Sequence, residues 1–219
     1  MLDWGWMADH LAVLADKTGQ HLELTVIALV VGFLISFVAG IVAYRWPGAY
    51  PPAAIFAGVI FTIPSLAMFS ALVPITGLSI LTAEIPLVLY TLVILLRNIV
   101  SGLRSVPRDV VEAADGMGFG RSRRLVRVEL PLAIPLIVAG LRVASVSTIG
   151  LVVISGTLGV SFGGLGFFIF EGIQRGFPTE IYFGAVPTIV LALAADRFFV
   201  LVESLATPWS RPRVPGGAT

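Results

Sequence analysis

The sequence predicts an all-α integral membrane protein of about five spanning helices, with a polar cytoplasmic loop between the third and fourth. Three observations carry this. Of 219 residues, 57% are hydrophobic and only 12% charged, at a mean hydropathy of +0.98; a soluble domain carries about twice that charge. One core cannot absorb so apolar a chain, because a domain of this size still exposes much of its surface. The apolar residues fall in continuous runs of spanning length, not in the alternation of a membrane barrel. The arginines, finally, gather between the runs.

Taken in order, Asp3, Asp9 and Asp16 precede the first run, which is too long for a signal-peptide core, so no cleaved leader is expected. A span needs about 20 apolar residues. Leu22 to Tyr44 supplies one, with Glu23 at its edge; Pro51 to Val73 a second, with Pro64 inside; Ser79 to Leu96 a third, with Glu84 near its start. The polar stretch 97–131 follows, then spans over 132–158 and 183–205. Residues 1–219 read as one domain without internal repeats, ending in a Pro- and Gly-rich tail after Pro208 that is expected to be mobile.

Five spans place the termini on opposite sides. Arg97, Arg104, Arg108, Arg121, Arg123, Arg124 and Arg127 lie in the central loop, Arg45 follows the first span, and Arg211 and Arg213 follow the last. The positive-inside rule puts all of these in the cytoplasm and the N-terminus outside. Trp4 and Trp6 then lie near the outer interface, Trp46 and Trp209 near the inner one.

Several chemistries are excluded. Without cysteine there is no disulfide scaffold or thiolate metal site. His10 and His21 are the only histidines; neither a His-Glu-x-x-His pair nor a Gly-x-Ser-x-Gly elbow occurs, so neither enzyme activity nor a metal site is expected. A net charge of +1 implies no nucleic-acid partner. Gly116-Met117-Gly118-Phe119-Gly120 follows no strand, and the chain lacks a Gly-x-x-x-x-Gly-Lys-Ser/Thr loop, so it binds no nucleotide itself. A secondary transporter or channel is the alternative from another class. It would show internal repeats or ionisable residues along a path, and would leave the central loop unexplained.

That loop reads as a short helix opened by Pro107, with Asp109 and Glu112 at the positive end of its dipole. Val110, Val111, Ala113 and Ala114 make a small apolar surface that lets another backbone approach. Gly116, Gly118 and Gly120 end the helix in a turn of positive φ, and a basic helix runs from Arg121 toward Pro131.

Glu112-Ala113-Ala114, then Asp115, Gly118, Val128 and Leu130-Pro131, have the spacing of Glu-Ala-Ala, three residues, Gly, nine residues, an aliphatic, any residue, Leu-Pro. This resembles the EAA loop of ABC importer permeases and implies a type I ABC importer permease fold. In that family the loop forms coupling helices that sit in a cleft of the ATP-binding subunit. Thr62-Ile63-Pro64-Ser65-Leu66-Ala67, Leu96-Arg97-Asn98, Gly116-Met117-Gly118, Ala139 to Ala144 and Gly163 to Gly172 narrow the likeness to glycine betaine, carnitine and choline permeases. Val93-Ile94 and Ser161-Phe162 depart from the pattern. The resemblance implies an osmoprotectant permease of the bacterial cytoplasmic membrane. Its ATP and Mg reside on a separate ATPase, with an extracytoplasmic binding protein and a second or paralogous permease as further partners. An amino acid or another small cation is the alternative substrate.

Inside the spans, Arg142 lies eleven residues past Pro131, roughly 16 Å along its helix, and Asp196 lies at a similar depth before Thr207. An ion pair between them would offset the cost of charge at that depth. Pro64 with Ser65 is a candidate kink or gating hinge. Gly163, Gly164 and Gly166 are expected in a folded-back segment near the pathway or in a docking surface for the binding protein.

Overall fold

The computed structural model describes residues 2–159 and 162–207; among these it is helical, without strands. The helices are α1 (Trp4–Asp9), α2 (Leu11–Arg45), α3 (Tyr50–Thr62), α4 (Ser65–Thr76), α5 (Ile80–Arg104), α6 (Arg108–Gly116), α7 (Arg121–Arg124), α8 (Leu130–Ser155), α9 (Gly166–Arg175) and α10 (Pro178–Ala206). A π-helical turn, Leu125–Glu129, joins α7 to α8. Ser161, Trp209, Arg211, Arg213 and the tail after Pro208 lie outside the described residues.

Helices α2, α5, α8 and α10 are each long and apolar enough to cross a membrane. The run 51–73 differs from the single kinked span expected of it: α3 and α4 meet at 93° and reach spanning length only together. The cause is local. Proline disfavours the α region for the residue before it, and Ile63 is extended at φ −72°, ψ 125°. Pro64 then sits at φ −57°, ψ 130°, ahead of the first turn of α4. The helix stops rather than bends. The Tyr90 hydroxyl, from α5, donates to the Ile63 carbonyl at the break.

Helix α5 is the axis of the bundle. Leu95, Ile99 and Leu103 are buried against Ala133, Ile137 and Ala144 of α8, and Phe33, Phe37 and Ile41 of α2 close the same cluster. On α2 the face toward α5 is a stripe of small residues four apart, namely Ala28, Gly32, Ser36 and Gly40, all buried. Small residues let membrane helices approach closely. A Cβ at Gly40 would lie 2.6 Å from Ile99 Cγ2, and one at Gly140 of α8 would lie 2.5 Å from Asn98 Cβ. Burial also extends α5 to Arg104, eight residues past the expected end, because Ile99, Val100 and Leu103 keep an apolar face under Arg97 and Arg104.

Helix α2 begins at Leu11 and runs for 35 residues, roughly 50 Å, so its first turns overreach a hydrocarbon core of about 30 Å. Those turns carry buried Lys17 and His21. Trp6 of α1 makes edge contacts with Phe177 and Phe183, and Thr179 Oγ1 accepts from Asp3 N–H. The N-terminus therefore sits at the Pro178 end of α10.

Candidate functional site

The central loop folds into a hairpin of α6 and α7. Pro107 caps α6 from an extended conformation, and Asp109 lies in its first turn. At the other end Phe119 N–H bonds the Ala114 carbonyl at 3.1 Å and Gly118 N–H bonds the Asp115 carbonyl at 2.9 Å. These are the paired bonds of a Schellman cap, which puts its penultimate residue in the left-handed region. Gly118 has φ +79°; Gly116 and Gly120 have no positive φ, so one of the three glycines, not all, makes the turn.

The hairpin also divides the Glu-Ala-Ala motif. Ala114 is buried, with Val110 and Val111 half-buried beside it, whereas Glu112, Ala113 and Asp115 are exposed. Ala114 thus anchors α6 to its own chain, and the outward surface is Glu112, Ala113 and Met117, the last 69% exposed. Met117 is thus the large apolar side chain exposed at the tip, a feature that the glycine pattern around it concealed.

Arg124 ties the hairpin together. Its Nη1 donates to both Asp115 carboxylate oxygens, at 2.6 and 2.5 Å, and its Nε to Glu129 Oε1 at 2.6 Å. Glu129 is buried at 1% exposure and shares a pocket with Tyr44 of α2. Ser122 Oγ accepts from Arg45 Nη2 at 3.0 Å. The guanidinium of Arg123 lies 4.6 Å from the centre of the Phe119 ring. One arginine thus links the end of α6 to the foot of α8. Val128 lies in the π-turn, and Leu130-Pro131 open α8. Pro131 has no N–H for an α-helical bond, and the turn just before it is where the ladder slips, with Leu130 N–H bonding the Leu125 carbonyl. Glu129 and Arg124 are absent from the motif, and no spacing in the sequence announces their pairing.

Among the intramembrane candidates, Arg142 donates to Asp196 through Nε at 2.5 Å and Nη2 at 3.0 Å, a two-pronged contact pinning α8 to α10. Pro64 and Ser65 line a cavity of about 360 Å³ between the α3–α4 break, α5 and α8, which Phe61, Tyr90, Ser147 and Thr148 also border. Gly163, Gly164 and Gly166 do not border it. They let two backbones meet: a Cβ at Gly163 would sit 2.6 Å from Gly156 Cα, and one at Gly164, where φ is +48°, 3.0 Å from His21. His21 Nδ1 accepts from Leu165 N–H at 3.3 Å while Nε2 donates to the Ile149 carbonyl at 3.0 Å, and Gln20 Oε1 accepts from Gly164 N–H. His21, which no catalytic pattern claimed, is the peg that fastens this segment to α2 and α8.

Residues 32–207 match the family described as the binding-protein-dependent transport system inner membrane component. The chain belongs to this family. Relatives include the glycine betaine/carnitine/choline transport system permease protein OpuCB of Bacillus subtilis, 33% identical over 88% of each chain. The osmoprotectant import permease protein OsmW of Salmonella typhimurium is 32% identical over 93% of this chain and 96% of its own. A solved chain of the MetNI methionine ABC transporter, in an inward-facing form, superposes with a TM-score of 0.79 at 21% identity, over 91% of this permease and 98% of that chain. The permease therefore has the type I ABC importer fold, and is a multi-pass membrane protein.

Proposed function

We infer that this permease is the membrane-spanning subunit of an ABC importer for trimethylammonium osmoprotectants such as glycine betaine, carnitine and choline. The substrate class rests on the relatives named for those compounds. The coupling role rests on one geometric observation: α6 turns Glu112, Ala113 and Met117 outward while Arg124 ties Asp115, beside them, to Glu129 at the foot of α8. A partner that moves the hairpin thereby pulls on a spanning helix.

The partner is a separate ATP-binding subunit, which holds ATP and Mg; an extracytoplasmic binding protein delivers substrate, and a second or paralogous permease completes the path. The hairpin faces the cytoplasm with the N-terminus outside. In support, α1 packs at the Pro178 end of α10, and the arginines of the hairpin gather beyond the Leu130 end of α8.

The test is ATP-dependent uptake of radiolabelled glycine betaine and choline in vesicles holding the permease, its ATPase and its binding protein. Uptake that needs all three supports the reading. Uptake of an amino acid but of neither compound keeps the importer and replaces the substrate. Failure of the ATPase to associate overturns the coupling role.

A further inference from the structure

The cavity at the α3–α4 break brings several unlike features into one small space. Thr148 borders it, and its buried Oγ1 has no hydrogen-bond partner among the described residues. Such groups cost stability unless something satisfies them. Two aromatic rings, Phe61 and Tyr90, border the same space in edge contact with centroids 6.0 Å apart. The first turn of α4 opens on it through Ser65, and Pro64 gives the N–H groups of that turn no side-chain cap. Among the described residues, no charged side chain lines the cavity. Its volume of about 360 Å³ lies within the range of small-molecule sites, roughly 300–1,000 Å³.

These features suit the two ends of one kind of molecule. A trimethylammonium group has no N–H to satisfy, and it is attracted to aromatic faces. A carboxylate is attracted to an uncapped helix N-terminus, where free N–H groups and the helix dipole act together. A primary ammonium would bring three donors to a site without a carboxylate. The cavity lies roughly 15 Å along α5 from Ile80 at 1.5 Å per residue, well inside the bilayer.

We propose that this cavity is a transit site for a trimethylammonium zwitterion, with Phe61 and Tyr90 against the cationic end and the first turn of α4, at Ser65, against the carboxylate. The proposal rests on the osmoprotectant reading above and adds to it the residues that select substrate within the membrane.

The experiment compares ATP-dependent uptake of radiolabelled glycine betaine with that of choline, which lacks the carboxylate, in vesicles containing the complete importer. Ser65→Asp places an acid in the first turn of a helix, where it favours folding, and repels only the carboxylate. It should cut glycine betaine uptake about tenfold relative to choline. Tyr90→Leu should lower uptake of both, and Thr148→Val should weaken both with assembly intact. Equal loss of the two substrates in Ser65→Asp, or no change in it, overturns the proposal while the importer reading stands. Wild-type uptake of neither compound overturns both. If Ser65→Asp fails to assemble with its ATPase, Ser65→Asn is read instead: it retains charge neutrality and should leave the betaine-to-choline ratio unchanged, a shift in that ratio counting against the site.

Discussion

Arg124 meets two carboxylates with one guanidinium, and of the two, Glu129 has almost no access to water. Removing the cation leaves a buried acid without its counter-charge, which is costly because the low dielectric strengthens every uncompensated charge. Arg124→Ala should destabilise the permease by about 2–3 kcal/mol, read as a lower melting temperature in detergent. Adding Glu129→Gln should restore part of the loss; a single variant that melts like wild type would contradict the clamp. Gly118 is a different case. A Cβ there meets nothing within 4 Å in this chain, so only its φ of +79° resists substitution. Gly118→Ala should cost about 1 kcal/mol and Gly118→Asn less, since Asn tolerates the left-handed region. Loss of ATPase association beyond those costs would place the contact in the partner. At this scale the sequence was partly legible. Three glycines in five residues announce a turn, but only the bonds to Ala114 and Asp115 single out Gly118. Glu-Ala-Ala spacing marks a motif, but burial alone separates inward Ala114 from outward Ala113.

Among the elements, the α3–α4 break departs most from what a run of apolar residues implies. Hydropathy sees 51–73 as continuous because lipid tolerates either geometry; the restriction that Pro64 imposes on Ile63 is a backbone effect that hydropathy does not register. Pro64→Ala should let α3 extend toward α4. The chain has no cysteine, so spin labels on cysteines placed at exposed Phe56 and Ile75 report their separation cleanly. The variant should lengthen it toward the roughly 28 Å of a continuous helix; an unchanged distance would mean that packing, not proline, sets the bend. The α2–α5 contact makes a second prediction. Gly40→Val forces a side chain into space held by Ile99, and should lower stability by about 1–3 kcal/mol in a detergent melt. No loss would show that the helices part easily there. The extent of α5 was legible in principle. Leu95, Leu96, Ile99, Val100 and Leu103 recur at helical spacing through Arg104, but the arginines between them lowered the local hydropathy and drew attention to the loop. The extra turns of α2 gave no such signal, since His21 bonds Ile149 and Leu165, 128 and 144 residues away in sequence, and Lys17 lies against the Phe167 ring.

For the whole molecule, composition and run length sufficed to place the chain in a membrane, because apolar surface in such quantity has no other solvent. The hairpin was also legible, as its spacing reflects a local helix–turn–helix whose parts are near in sequence. The cavity was not, because Phe61, Tyr90 and Thr148 come from three helices and no sequence spacing brings them together. In the proposed coupling role, the α6–α7 hairpin is where an ATPase takes hold of the bundle. In this cysteine-free chain the most direct measurement is crosslinking from Met117→Cys at the hairpin tip, with Ile75→Cys at the end of α4 as the control, in the assembled importer. A crosslink from position 117 to the ATPase subunit, changed in yield by ATP, is expected, with none from position 75. An assembled complex in which position 117 fails to reach the ATPase would contradict it.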